Sequence, residues 1–382
     1  MSYRTKKTGC AALKKMIIYG AGIFGSDLLK IAEARGCKVL FFIDKYKKGK
    51  LGNTPILSPD DFRRSETQAP VYMSLIDRNE ELKVIGFLKA LKDRSEIKNF
   101  TEMLLEFPEL ICTKKKNGFF WLSNGSFDSA RFSCENYFSD AKSQGVVKKW
   151  MKFRETLGVK HYVEPEGSQY VPKDLNWIKK LQRSSATFLD VGAYTGDSCD
   201  FFMGKFRSSK KNISHYFAFE VEPGNFVHLG STLRKLSTKY PKTRSVALPL
   251  GIWSCHGLVQ INSSGSATQV FSGAAGDMSS PRIPVAKLDD LFLSMPVDVI
   301  KMDIEGSEKE ALKGAERIIK EQSPVLLISL YHKPEDLWEI PDMIRKINPN
   351  YDMHIRVHAH LFIETVLYCV PKQGGLNVKQ SA

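Results

Sequence analysis

The chain has 382 residues, of which 42% are hydrophobic and 26% are charged, a balance typical of a globular protein. This length exceeds one ordinary core and predicts two domains joined by a connector. The apolar runs are too short to cross a membrane, and the first residues do not resemble a secretory signal. Seven scattered cysteines without a Cys-x-x-Cys pair favour reduced thiols and a cytoplasmic location, and they argue against a zinc site.

The formal net charge of +14 allows two interpretations. It could mark a surface for nucleic acid or acidic membrane, or a solvated lysine-rich surface. The basic runs are dispersed and only loosely interleaved with aromatic residues, which favours the solvated surface over a specific nucleic-acid partner. Peripheral association with an acidic membrane surface, or an acidic lipid-linked or nucleotide-linked acceptor, stays open.

The first hundred residues alternate between predicted strands and helices. After a basic leader (1–14), strands are predicted at 15–19, 39–43, 56–57 and 71–75. Helices are predicted up to about Ala34, from Ser58 onward and over 79–91. This alternation predicts a small parallel sheet with helices on it, which we assign to a domain at 1–110. Residues 111–185 show no evident strand and predict a mainly helical connector, with one or two helices over 127–157.

The second αβ domain is predicted at 186–371, followed by a tail at 372–382. Its strands are predicted at 187–189, 215–219, 245–248, 297–302, 325–329, 353–357 and 362–370. The last two are expected to pair antiparallel, because only a short turn with His358 and His360 separates them. The glycine-rich segment 251–287 interrupts the alternation and predicts a β-hairpin excursion.

A glycine loop follows the first strand of this second domain. It contains Asp190, Gly192, Ala193, Tyr194 and Gly196. Glycines at this spacing let the chain turn tightly, and such loops form the floor of nucleotide-cofactor sites at the carboxyl edge of a sheet. A carboxylate at the strand end would repel a pyrophosphate and could accept hydrogen bonds from an amine. The loop therefore favours S-adenosylmethionine over NAD.

Two further acidic clusters end neighbouring strands. Glu220 ends the second strand, where it could bind both hydroxyls of a ribose. Glu222 is the second choice for that role and is rather expected to cap the following helix. Asp303 and Glu305 follow a buried strand and are expected to face the cofactor and the acceptor. Charges at the end of a core strand are costly unless they are used, although capping alone would explain Glu308.

The histidines offer one catalytic candidate. His332 follows the fifth strand at the same sheet edge as Asp303, and it could serve as a general base or an acceptor ligand. His358 and His360 form a His-x-His pair, which suggests a metal weakly, and surface turn histidines are the more common case. No metal site is therefore predicted.

Four motifs in this order resemble the FkbM family of S-adenosylmethionine-dependent methyltransferases. They are Asp190–Asp197, Phe219–Pro223, Lys287–Leu291 and Ile300–Glu308. The resemblance covers about 160–371. It implies the class I methyltransferase sheet, seven-stranded with the last strand antiparallel, and most often methylation of a hydroxyl on a sugar or polyketide-like product. Residues 250–253 depart from the pattern, because they carry no acidic or Asn partner for adenine.

The N-terminal half resembles the small Rossmann-type domain that precedes some sugar acetyltransferases and FkbM-type enzymes. Gly20, Gly22, Gly25 and Asp44 match the dinucleotide fingerprint in spacing, so they form a candidate second nucleotide site. The domain stops short of a second mononucleotide half and has no obvious catalytic residue. A docking or acceptor-presenting role is therefore favoured over NAD-linked chemistry.

Together these observations predict an O-methyltransferase that transfers methyl in line from S-adenosylmethionine to a sugar, nucleotide-sugar or glycan hydroxyl. Asp303, His332 and Glu305 are the catalytic candidates, with Asp303 or His332 as the base. A divalent cation held by Asp303 and Glu305 is a less favoured alternative. Two other functions stay open: an NAD-dependent enzyme acting on sugar nucleotides, and a basic binding protein without activity.

Overall fold

The computed structural model of the protein describes residues 14–91, 96–111, 137–262, 269–271 and 282–372. The predicted leader and tail and the first part of the helices predicted over 127–157 lie largely outside these ranges. The described chain forms two compact units. The first contains the residues before 112 together with 152–167 and 359–361, and the second contains 137–151, 168–358 and the residues from 362 onward.

The first unit is built on a mainly parallel sheet. Its strands are β1 (Lys15–Tyr19), β2 (Lys38–Ile43), β3 (Gly49–Leu51), β4 (Thr54–Leu57), β5 (Val71–Met73) and β6 (Ile97–Lys98). Its helices are α1 (Ile23–Ala34), α2 (Pro59–Arg64), α3 (Arg78–Ala90) and α4 (Phe100–Glu106). The strand order is β3-β4-β2-β1-β5-β6, and only the β3–β4 pair is antiparallel.

The helices of this unit begin where polar side chains can satisfy their first amides. Ser58 accepts from the amide of Asp61 at the start of α2, and Asp77 accepts from Glu80 at the start of α3. Asn99 forms a reciprocal capping box at the start of α4. One face of the sheet packs on an apolar cluster, which includes Ile17, Phe41 and Met73.

The middle of the chain contributes mainly helical segments. They are α5 (Ala141–Thr156), a 3-10 turn at Val159–His161 and α6 (Trp177–Lys180). The second unit then continues through β7 (Ser185–Val191), α7 (Asp197–Ser208), β8 (Asn212–Phe219), α8 (Pro223–Lys239), β9 (Arg244–Leu248), β10 (Gly251–Ile252), β11 (Gly257–Asn262), β12 (Gln269–Phe271) and β13 (Arg282–Ala286). It ends with α9 (Leu288–Phe292), β14 (Val299–Met302), α10 (Glu308–Lys313), α11 (Glu316–Gln322), β15 (Val325–Ser329), α12 (Asp336–Ile347), β16 (Tyr351–Val357), a 3-10 turn at His360–Phe362 and β17 (Thr365–Pro371).

The large sheet of the second unit has the order β16-β17-β15-β14-β7-β8-β9 within the described ranges. β7, β8, β9, β14 and β15 pair in parallel, whereas β17 is antiparallel to both of its neighbours. The mixed α/β class with parallel-dominated sheets is confirmed. Because β7, β8 and β14 are adjacent and parallel, their carboxyl ends meet at one edge, where the predicted site residues lie.

A smaller sheet forms within the glycine-rich segment 251–287, which the sequence predicted to be a β-hairpin excursion. β11 pairs antiparallel with β12 and β13, and β10 pairs in parallel with β13. Among the residues that the structure describes, no helix is both long and apolar enough to span a membrane.

The two histidines predicted on a surface turn are buried instead. The ring of His358 lies against the hydroxyl of Tyr368 at 2.7 Å. His360 is fully buried, with Nε2 2.8 Å from Oε2 of Glu81 and Nδ1 2.7 Å from the hydroxyl of Tyr162. The prediction of solvent-exposed turn histidines is therefore wrong, because each ring has polar partners inside the protein.

Candidate active site

The loop after β7 turns sharply at two glycines. Gly192 and Gly196 have φ angles of 81° and 82°, a region that glycine adopts at little cost. A Cβ atom on Gly192 would lie 1.9 Å from the carbonyl oxygen of Asp303. The amides of Gly192 and Ala193 donate to the carbonyl of Phe219 at 3.0 and 2.9 Å. The loop is therefore packed closely between the carboxyl ends of β8 and β14.

Asp190 lies beneath this loop and is fully buried. Its Oδ2 accepts from the hydroxyls of Tyr216 and Ser198, and its Oδ1 lies 2.9 Å from Nζ of Lys301. The same ammonium donates to the carbonyl of Gly192 at 2.7 Å. Burial opposes the charge of Lys301, but the carboxylates beside it raise its pKa, so it stays protonated. This network favours a positioning role for Asp190 over direct contact with a cofactor.

Glu220 closes β8 next to the glycine loop. Its Oε2 accepts from the amide of Tyr194 at 2.9 Å, and its Oε1 accepts from the amide of Glu222 at 2.8 Å. Burial raises the pKa of Glu220. Each carboxylate oxygen keeps a lone pair beyond its backbone partner, as a diol ligand would need. Glu222 caps α8 as predicted, because it accepts from the amide of Asn225.

Asp303 follows β14 and is held by two tyrosines. Its Oδ2 accepts from the hydroxyl of Tyr170 at 2.8 Å, and its Oδ1 accepts from the hydroxyl of Tyr331 at 2.9 Å. Burial works against the carboxylate, but the positive charges of Lys301 and His332 hold the pKa of Asp303 below its ordinary value. Asp303 is therefore an ionised, oriented carboxylate at the sheet edge.

His332 follows β15 and lies among three carboxylates. Its Nδ1 is 2.9 Å from Oε1 of Glu308, while its Nε2 is 3.4 Å from Oδ1 of Asp303 and 3.6 Å from Oε2 of Glu305. Burial opposes protonation, but the charge and hydrogen bond of Glu308 raise the pKa of His332 to about 10. The imidazole therefore carries its proton at neutral pH. That state does not fit the general base proposed from the sequence.

Glu305 occupies the loop between Asp303 and Gly306. Its φ of 54° is unusual for a residue with a side chain, and one third of that side chain is exposed. Burial of the remainder raises the pKa of Glu305 to about 7, although the nearby His332 opposes this shift. Of the three catalytic candidates, Glu305 has the most exposed side chain.

Four residues of this site were not found from the sequence. Tyr170 and Tyr331 orient Asp303, and Gln169 donates to the carboxylate of Glu364. Burial and the negative charge of Asp303 raise the pKa of Glu364 to about 8. The four residues come from three segments of the chain, and no spacing pattern links them to Asp303. The signal available for Tyr331 was its position, directly before His332.

Two of the three glycines in the N-terminal glycine loop are packed closely against neighbouring atoms of the protein. Added Cβ atoms on Gly20 and Gly25 would lie 2.7 Å from the hydroxyl of Ser74 and 2.0 Å from the carbonyl of Gly20, whereas Gly22 faces open space. Asp44 accepts from three backbone amides, those of Ala21, Tyr46 and Lys47. Close packing thus explains Gly20 and Gly25 without a ligand. A second nucleotide site at Gly20, Gly22, Gly25 and Asp44 stays a prediction.

Comparison with known proteins identifies the second unit. Residues 190–356 match the family model for the methyltransferase FkbM domain. The chain contains an FkbM methyltransferase domain. This confirms the family resemblance found in the sequence, and methyl transfer is the activity of that family. The domain includes the glycine loop, Glu220, Asp303 and His332, whereas Glu364 lies beyond its last matched residue.

One solved structure extends the similarity beyond the FkbM domain. The crystal structure of a methyltransferase FkbM from Methylobacillus flagellatus KT has a TM-score of 0.54 and 22% identity, and the match covers 93% of this chain and 90% of that one. The two proteins therefore share a fold. A proposed rRNA methylase from Clostridium thermocellum matches 55% of this chain and 98% of its own, with a TM-score of 0.34 and 12% identity. No curated protein matches the chain.

Proposed function

We propose that this protein is an S-adenosylmethionine-dependent O-methyltransferase that acts on a hydroxyl of a sugar, a glycan or a glycan precursor. One observation carries the proposal: within the FkbM domain, carboxylates end β8 and β14 on either side of a tight glycine loop. Parallel strands bind ligands at this edge. We also propose that the protein works in the cytoplasm and that its basic surface can associate with an acidic membrane.

The residues present fit the methyl donor. Glu220 offers carboxylate oxygens to ribose hydroxyls, and its raised pKa reflects a dry position. Gly192 to Gly196 provide a floor without bulky side chains, apart from the half-exposed Tyr194. Asp190 and Lys301 fix that floor from below. S-adenosylmethionine would supply an electrophilic methyl group, to which an acceptor oxygen aligned opposite the sulfur could bond.

The acceptor side is polar and acidic. Tyr170 and Tyr331 hold Asp303, and Glu305 presents its carboxylate at the more open side of the crevice. Carboxylates in such positions accept hydrogen bonds from hydroxyl groups and orient them, and orientation accounts for much of the acceleration of a displacement reaction. A hydroxyl acceptor therefore suits the crevice. The choice of a sugar or glycan rests on the family resemblance.

Binding of the product S-adenosylhomocysteine, measured by titration calorimetry, tests the donor site. We expect Glu220→Gln to weaken binding about tenfold or more, because a charge-assisted hydrogen bond to ribose contributes roughly 1.5 to 3 kcal/mol. Glu222→Gln is the matched control: it alters the helix cap two residues away and should keep the affinity. Equal affinity in all three proteins, or no binding by the unaltered protein, would overturn the proposal. Transfer of a labelled methyl group to nucleotide sugars and glycans then tests the acceptor.

A further inference from the structure

One nitrogen in the candidate site lacks a hydrogen-bond partner although it is buried. His332 has only 6% of its side chain exposed, and its Nε2 has no partner in hydrogen-bond geometry. A buried polar atom without a partner costs free energy, so its presence in a functional crevice calls for an explanation. The neighbouring atoms supply one, because Nε2 lies near the carboxylates of Asp303 and Glu305.

The distances around Nε2 are close to those between two ligands of one metal ion. Oδ1 of Asp303 is 3.4 Å away and Oε2 of Glu305 is 3.6 Å away. Two ligands that each lie about 2.0 to 2.2 Å from one ion are separated by roughly 3.0 to 3.5 Å, so a small inward shift would complete the contacts. Among the described residues, the group whose ligand atoms all lie within 4.8 Å of one another is Asp303, Glu308 and His332. Glu305 is not in that group, so its carboxylate would have to move toward Asp303 for the two to share an ion with His332.

Glu308 is placed to orient the imidazole. Its Oε1 is 2.9 Å from Nδ1 of His332 and also accepts from the amide of Ile304 at 2.9 Å. A carboxylate that holds one ring nitrogen while the other faces an ion is the usual partner of a metal-bound histidine. Tyr170 and Tyr331 hold Asp303 in the same manner. Asp303 and His332 are thus each oriented by hydrogen bonds from neighbouring side chains, and Glu305 is the more exposed of the three.

We propose that Asp303, Glu305 and His332 bind one divalent first-row transition ion, with Glu308 as the positioning residue. The imidazole nitrogen favours Mn²⁺, Fe²⁺, Co²⁺ or Zn²⁺ over Mg²⁺ and Ca²⁺, which prefer oxygen ligands. Binding of the ion does not depend on methyl transfer, whereas a role for the ion in catalysis rests on the proposed function. In methyl transfer the ion would make the hydroxyl of the acceptor more acidic, and the proton of that hydroxyl would leave to solvent past Glu305.

Mn²⁺ binding by electron paramagnetic resonance tests this proposal on the full chain without a methyl donor. We expect about one Mn²⁺ per chain, displaced by Zn²⁺ but not by a similar concentration of Mg²⁺. His332→Gln and Glu305→Gln should each weaken binding at least tenfold, and Glu308→Gln about 10- to 100-fold. Glu310→Gln is the matched control, since that carboxylate pairs with Lys313 away from the crevice.

Thermal unfolding of each variant shows whether it is folded, and Glu305→Gln lies on a loop where a change of fold is least expected. The proposal is overturned if Mn²⁺ and Zn²⁺ both fail to bind at millimolar concentration. In that case Nε2 of His332 carries a proton beside the carboxylates of Asp303 and Glu305 in place of an ion. It is also overturned if the crevice variants bind as well as Glu310→Gln. Binding of Mn²⁺ without binding of S-adenosylhomocysteine would leave the ion site standing and remove the proposed function.

Discussion

Gly192 illustrates how a single residue sets the geometry of the site. Its φ of 81° and the 1.9 Å separation between an added Cβ atom and the carbonyl of Asp303 leave no room for a side chain. In Gly192→Ala the Asp303 backbone must move, and the left-handed conformation adds about 1 to 2 kcal/mol of strain. We expect a lower unfolding midpoint in thermal denaturation and loss of S-adenosylhomocysteine binding.

The same substitution elsewhere provides the control for this prediction. Gly230 lies within α8, and an added Cβ atom would meet nothing within 4 Å. Gly230→Ala should therefore be neutral or stabilising by up to about 1 kcal/mol, because alanine favours a helix over glycine. If both variants unfold at the same temperature, the contact between the glycine loop and Asp303 does not constrain the site.

At the scale of elements, a buried arginine in β16 connects this strand to α5 and to a carboxylate that follows α5 in the chain. The guanidinium of Arg356 donates to Asp140, to Asp174 and to the hydroxyl of Ser143. Asp140 also accepts from the amide of Ser143 at 2.7 Å and contacts His354. Burial disfavours the Asp140 carboxylate, but these partners hold its pKa well below the ordinary value.

This network makes stability depend on pH. Because the folded pKa of Asp140 is depressed, its contribution is present above the unfolded pKa of about 4 and is lost as the pH falls below that value. We expect urea denaturation between pH 3 and 7 to show a smaller decline in unfolding free energy for Asp140→Asn than for the unaltered protein. Asp60 carries the same carboxylate but lies exposed on the surface of α2, so Asp60→Asn serves as control. Parallel pH profiles for all three proteins would contradict the prediction.

The elements were predictable where one apolar run makes one strand. β1 and β15 have the predicted bounds, since every central residue is apolar and buried. β7 and β8 begin two or three residues earlier than expected, because polar residues at their starts pair with neighbours in the sheet. β17 begins at Thr365 rather than 362, because Phe362 and Glu364 have positive φ angles that break a strand.

The candidate site was predictable in its strand-end carboxylates and not in their partners. Glu220, Asp303 and Glu305 lie near the strand ends because a parallel sheet brings those ends to one edge. The hydroxyl groups of Tyr170 and Tyr331 reach Asp303 from distant segments, which no local pattern encodes. The protonated state of His332 also depends on Glu308, whose side chain the sequence explained as a helix cap.

At the scale of the whole molecule, the first compact unit includes residues far from it in sequence. Residues 359–361 belong to this unit, and His360 stacks on Phe100 with ring centroids 4.3 Å apart. Such a contact spans hundreds of residues and leaves no trace in hydrophobic periodicity. The predicted domain bounds at 110, 185 and 371 therefore stay predictions, since a linear division cannot express an inserted segment.

His360 should stabilise the first unit measurably. Its Nε2 lies 2.8 Å from Glu81, a fully buried carboxylate that also accepts from the amide of Phe100 and pairs with Arg78. His360→Leu removes one partner of this buried charge, and an unpaired buried charge costs about 3 to 5 kcal/mol, of which Arg78 recovers a part. We expect hydrogen exchange to speed up at the amides of α3 and at the start of α4, because local opening there becomes easier.

The control for this prediction is His228→Leu on the exposed face of α8, which should leave the exchange rates of these amides unchanged. If His360→Leu exchanges at the same rates as the unaltered protein, residues 359–361 touch the first unit without stabilising it.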